Sequence, residues 1–129
     1  MADTLSTKTL IDGDRNVVIS FGSQSDGTGE SDAVKVDLSA LNANSDGRSA
    51  VKLTTDIVSY TVSGYNFVTL EYDRGTDQMI AELKGSGVLF FPGGKVDAGS
   101  AGTGDVVLTT NGAISGASYH IVWHGRKKY

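Results

Sequence analysis

The chain has no cysteine, a single proline and no long apolar run. Without cysteine there can be no disulfide, no thiolate nucleophile and no cysteine-ligated zinc, which leaves packing, hydrogen bonding and assembly to hold the fold. No stretch approaches the ~18 apolar residues of a transmembrane helix. The opening Met1-Ala2-Asp3-Thr4 has neither a basic region nor an apolar one behind it, so it does not read as a secretory signal, and synthesis in the cytoplasm is expected. Apolar residues nowhere recur at i, i+3, i+4 and i+7 over three turns, so little or no helix is expected. The formal net charge of −4 speaks against a general nucleic-acid binder.

What the chain does have is 17 glycines and a series of short alternating segments among its 129 residues, which reads as one domain over 1–129. Thr4–Ile11 is a first extended segment, ended by the turn signal Asp12-Gly13-Asp14. In Asn16–Phe21, Val17, Ile19 and Phe21 share a face, and Gly22–Gly29 reads as a polar loop. Glu30–Leu38 alternates cleanly, with Val34, Val36 and Leu38 on one side and Lys35 and Asp37 on the other. Ser39-Ala40-Leu41 could add one helical turn. Ala50–Val62 is the longest strand candidate. Its apolar parity changes from Val51, Leu53 and Ile57 to Val58, Tyr60 and Val62, which predicts a bulge or a crossing between sheets.

Asn66–Tyr72 and Gln78–Leu83 form a hairpin pair, with Val68, Leu70 and Tyr72 on one face and Met79, Ala81 and Leu83 on another. Val88–Phe91 is wholly apolar and predicts burial on both sides. Pro92–Gly104 is glycine-rich and must lie over a surface, its own or a partner's. Asp105–Thr110 and Ser118–Trp123 are the last strands. Tyr119, Ile121 and Trp123 face one way in the second of these, and His120, Val122 and His124 face the other. Trp123, the only tryptophan, predicts that the C-terminal strand closes the core. The expectation is an all-β fold: a β-sandwich of eight or nine short strands, jelly-roll-like, with extended termini and a loop at 92–104.

Chemistry is sparse. Asp12, Asp14 and Asn16 match the opening of a calcium loop, but Val17 stands where glycine is needed and Ser23 where a bidentate glutamate is needed. Asp26-Gly27-Thr28-Gly29-Glu30 reads as a loop bent by its glycines. His120 and His124 share a strand face roughly 13 Å apart, too far to bind one metal on a straight strand. No G-x-S-x-G is present: Gly85-Ser86-Gly87 and Gly99-Ser100-Ala101-Gly102 fail the spacing. Gly99–Gly104 does not lead from a strand into a helix, as a phosphate-cradling loop would. No catalytic, cofactor or metal residue is assigned, and an enzyme is not expected. The tail Arg126-Lys127-Lys128-Tyr129 reads as a solvated end or as a basic contact with an acidic neighbour, and Phe90-Phe91-Pro92 as a core strand end or an apolar interface. The candidates for a partner interface are Arg126, Lys127, Lys128, Tyr129, Phe91, Pro92 and Lys95.

Two blocks of sequence are distinctive as strings. One is Ser25-Asp26-Gly27-Thr28-Gly29-Glu30 followed by Ala33-Val34-Lys35-Val36-Asp37-Leu38-Ser39. The other runs from Ala101-Gly102-Thr103-Gly104-Asp105-Val106 through Leu108-Thr109-Thr110, Ser115-Gly116 and Ser118-Tyr119 to Arg126-Lys127-Lys128-Tyr129. Together they resemble small virion structural proteins of tailed bacteriophages, many of them marine, of the head-decoration or cement kind. The middle of the chain, Asn42–Gly94, departs from that pattern.

The resemblance implies a protein made in the host cytoplasm and placed on the capsid surface. There it would bind itself as a dimer or trimer and the major capsid protein, with no cofactor, no membrane and no specific nucleic acid. Contacts through Thr4–Ile11, the glycine-rich loop and the tail are expected, so that deleting Arg126–Tyr129 spares folding and weakens particle binding. Two alternatives stay open: a tail or head–tail connector component, or a fibre-type carbohydrate-binding sandwich using Tyr60, Tyr65 and Phe67.

Overall fold

The computed structural model describes residues 4–27, 29–30, 33–43, 45–74, 77–97, 102–112 and 114–128. Nine strands follow in order: β1 (Thr4–Asp12), β2 (Asn16–Asp26), β3 (Ala33–Val36), β4 (Lys52–Ser63), β5 (Phe67–Tyr72), β6 (Gln78–Leu83), β7 (Gly85–Val96), β8 (Val106–Asn111) and β9 (Ser115–Lys128). A single 3-10 turn, Leu38–Ala40, is the only helical element among the described residues; Asp37 caps it by accepting from the Ser39 N–H. Among the described residues no helix is long and apolar enough to cross a membrane.

The strands form two antiparallel sheets, β1-β2-β9-β4-β7 and β3-β8-β5-β6, packed as a sandwich. Strands β2, β3, β4 and β5 pair in turn with β9, β8, β7 and β6, as one long hairpin would when rolled up. That is the jelly-roll arrangement, with β1 added outside β2.

Between the sheets lies the core, filled by the alternating positions. Val17, Ile19 and Phe21 from β2 meet Val68, Leu70 and Tyr72 from β5, and Tyr119, Ile121 and Trp123 from β9. Trp123 is fully buried at the centre of the larger sheet. Its indole N–H donates to Thr55 Oγ1 at 2.8 Å. Thr55 in turn bonds the Tyr72 hydroxyl at 2.8 Å, and that hydroxyl donates to the Lys95 carbonyl at 2.7 Å. This relay links β9, β4, β5 and β7 and satisfies the polar atoms that the aromatic rings bring into the core. Burial pushes the Tyr72 phenol up from 10.0 to about 12, so it stays protonated as the relay requires.

The parity change in β4 is a bulge. Register shifts between Thr55 and Ile57 against both neighbours, so Asp56 is the extra residue, and the strand stays in one sheet. Four expectations need correction.

First, Gly22–Asp26 continues β2 along β9, because a partner on each side satisfies a polar strand as well as an apolar one. Second, bulges turn residues over. The shift between Val34 and Val36 leaves Val34 exposed and buries Lys35, while Met79 is exposed and Ile80 buried. Lys35 pairs with Glu30 at 2.6 Å, both almost wholly buried, and Glu30 also accepts from the Tyr119 hydroxyl.

Third, Val88–Phe91 is not buried on both sides. β7 is an edge strand with one open face, and Phe90 is 68% exposed. Pro92–Val96 also belongs to β7, and an edge is where a proline is tolerated. Fourth, the tail is no free arm. Residues 124–128 complete β9, paired with β4 throughout and with β2 as far as Arg126.

Candidate docking face

The outward positions of the five-stranded sheet can be read from its registers. Ile11 sits beside Val18, Val18 beside His124, His124 beside Ile57, and Ile57 beside Phe90. This cross-strand row traverses all five strands with a single polar member. The next row is Lys8, Ser20, Val122, Ser59 and Val88, followed by Gly22, His120, Thr61 and Ser86. Its flanks are open: Ile11 is 51% and Val88 48% exposed. The middle members Val18, His124, Ile57 and Val122 are half-buried by their neighbours. The outer face of the other sheet carries Glu71, Thr69, Thr109 and Glu82, together with a shorter apolar set in Val34, Val107 and Met79.

Beside the apolar row, two residues further along β9, the face turns cationic. Arg126 grips the bulged Asp56 with two bonds, at 2.9 and 3.0 Å, and reaches the Gly93 carbonyl. The close fit needs Gly94, where a Cβ would stand 2.3 Å from Thr54 Cγ2 and the backbone has φ +88°. A cleft of about 200 Å³ opens here, lined by Arg15, Thr54, Gly93, Val96, Arg126, Lys127 and Lys128.

The partner-interface residues expected from sequence fall in several environments. Lys127 points inward, with its side chain wholly buried, and cannot face a partner. Its ammonium holds Asp12 at 2.5 Å and the Gly13 and Asn42 carbonyls at 2.6 and 2.7 Å. Arg126 is half-exposed and Lys128 exposed. Phe91 turns back to pack on the core and Pro92 is exposed; Lys95 is half-buried. Tyr129, like residues 98–101 of the glycine-rich loop, lies outside the described residues. The large exposed aromatic is therefore Phe90, one position before the one expected.

Phe90 falls within the Phe90-Phe91-Pro92 interface reading and Ile11 at the end of the Thr4–Ile11 contact segment, whereas Val18 and Ile57 were not singled out. The signal available was the apolar residue left over on the polar parity of each strand.

The tyrosines proposed for sugar binding do not assemble. Tyr65 is buried against Tyr119, with ring centroids 6.0 Å apart. Tyr60 is packed partly against the core, and Phe67 is half-buried in the other sheet. Asp12-Gly13-Asp14-Arg15-Asn16 is an ordinary turn closed by Gly13 N–H donating to the Asn16 carbonyl, with Asp12 engaged by Lys127 and the Asn42 N–H. His120 faces outward as expected and bonds Ser20 Oγ at 3.0 Å. Among the described residues no group of three or more acidic, histidine or cysteine side chains is placed to hold a metal.

Fold and face together define a jelly-roll sandwich whose larger sheet carries one apolar cross-strand row beside a cationic cleft. No family model, curated protein or solved structure matches the chain.

Proposed function

We propose that the chain is a non-enzymatic structural protein of a phage virion. On this reading it sits on the capsid surface against the major capsid protein, as a dimer or trimer, and stabilises the shell. The observation that supports it best is the row Ile11, Val18, His124, Ile57 and Phe90 on the outside of the larger sheet. A rigid apolar row left open in this way is a surface for another protein. Covering Phe90, Val88 and Ile11 contributes on the order of 1 kcal/mol each, and an array of copies multiplies that. A face carried on paired strands also docks with little ordering entropy, which a loose arm would have to lose.

The virion setting comes from the two sequence blocks at the ends of the chain. Jelly rolls serve capsid and lectin proteins alike, so the fold does not choose between them. Burial of Tyr65 counts against the sugar-binding alternative.

The test is co-sedimentation with purified heads of a tailed phage assembled from its major capsid protein. Wild type should bind at hundreds of copies per head. The variant Phe90→Ser/Ile11→Ser should melt within about 2 °C of wild type, as surface changes do, and bind at least tenfold more weakly. Failure of wild type to bind heads, or undiminished binding by the variant, would overturn the reading.

A further inference from the structure

We infer that the cationic end of the docking face receives an acidic segment of the partner protein, so that the apolar row supplies contact and the cations supply selectivity. The inference rests on the docking reading for the identity of the partner, but not for the chemistry of the site.

Four cations line the cleft (Arg15, Arg126, Lys127 and Lys128) and a fifth, Lys52, stands in register with Lys128, in a chain whose formal net charge is −4. Arg126 and Lys127 are neutralised by Asp56 and Asp12. Arg15, Lys52 and Lys128 have no ion pair among the described residues. Two of these three are set directly against each other, since Lys52 and Lys128 are register partners across β4 and β9. Like charges opposite one another on a sheet face destabilise it. The fold thus carries an electrostatic cost at this spot that an incoming carboxylate would relieve.

The cleft of about 200 Å³ between Arg15, Arg126, Lys128 and the Gly93 turn has room for an acidic side chain. Nucleic acid fits less well. The cleft lining includes no aromatic ring on which a base could stack. The row that continues from it is apolar, as a protein segment requires.

Fluorescence anisotropy with a labelled glutamate decamer tests this on the full chain, beside a thymidylate decamer of the same length. The glutamate decamer should bind at low salt, and more weakly as salt rises. In Arg15→Gln/Lys52→Gln/Lys128→Gln, affinity should fall about tenfold, as expected for the loss of three solvent-accessible charge contacts, two exposed and one half-buried. Lys52→Glu should weaken binding and yet raise the Tm of the free protein, because it converts the Lys52–Lys128 opposition into an attraction. No binding by the glutamate decamer, equal binding by the triple variant, a lowered Tm in Lys52→Glu, or preference for the thymidylate decamer would each overturn the inference. Phe90→Ser/Ile11→Ser should leave decamer binding unchanged, so the outcome here is independent of whether the protein binds phage heads.

Discussion

Replacing Lys127 with methionine keeps most of the side-chain stem and removes one charge from a wholly buried site. In the native fold that ammonium serves three acceptors: Asp12 Oδ1 at 2.5 Å, the Gly13 carbonyl at 2.6 Å and the Asn42 carbonyl at 2.7 Å. It ties the end of β9 to the β1–β2 turn and to the segment after the 3-10 turn. Removing one partner of a buried ion pair costs about 3–5 kcal/mol, because the other charge is left without compensation. Asp12 keeps 15% side-chain exposure and still accepts from the Asn42 N–H at 2.9 Å, which favours the lower end of that range.

The expected loss is therefore about 3 kcal/mol, or about 10 °C in Tm for a domain of this size. Adding Asp12→Asn removes the stranded charge, and the double variant should recover about 2 kcal/mol of the loss. Urea unfolding followed by Trp123 fluorescence reads all three proteins. If Lys127→Met melted within 1 °C of wild type, the anchoring of the last strand by this ion pair would be refuted.

Gly125→Ala should be as damaging, since its Cβ would stand 2.3 Å from Trp123 Cη2 and 2.6 Å from the Thr54 carbonyl oxygen, with the ring fully buried. A loss of about 3 kcal/mol with a red-shifted Trp123 emission is expected, and native-like stability would refute that contact. Tyr72 predicts an alkaline limit. Its folded phenol titrates at about 12 against 10.0 in the unfolded chain, so its contribution is complete below pH 10 and is lost as pH rises through 12. The total is about 3 kcal/mol. Urea midpoints measured from pH 9 to 11.5 should fall less steeply in Tyr72→Phe than in wild type, and parallel curves would refute the assignment.

The sandwich could be read from the sequence because period-2 alternation survives wherever a strand has one dry face. Tyr119, Ile121 and Trp123 are the plainest case, and the parity change within Ala50–Val62 signalled a bulge or a crossing, though the bulge falls at Asp56, before Ile57 and not after it. Two kinds of information were not there to read. Position in the sheet is one: Val88–Phe91 looks the same in a central strand as at an edge, and only the strand order shows that Phe90 faces out. Charge pairing is the other. Lys35 and Lys127 look like solvated residues until Glu30 and Asp12, distant or bulged in sequence, are brought against them. The docking row was hidden for a related reason, since Ile11, Val18, His124, Ile57 and Phe90 become neighbours only through four separate registers.

The strand that fills the middle of the large sheet, β9, is held between β2 on one side and β4 on the other. Without it those two strands flank an empty slot, whereas β1–β2 and β5–β6 are local ribbons whose pairing does not need it. A chain in which β9 is not yet seated thus shows bare strand edges, which chaperones and proteases act on. His124 and Val122, at the centre of the outer face, lie on that same strand. Closing the core and completing the outer face of the large sheet are then one event.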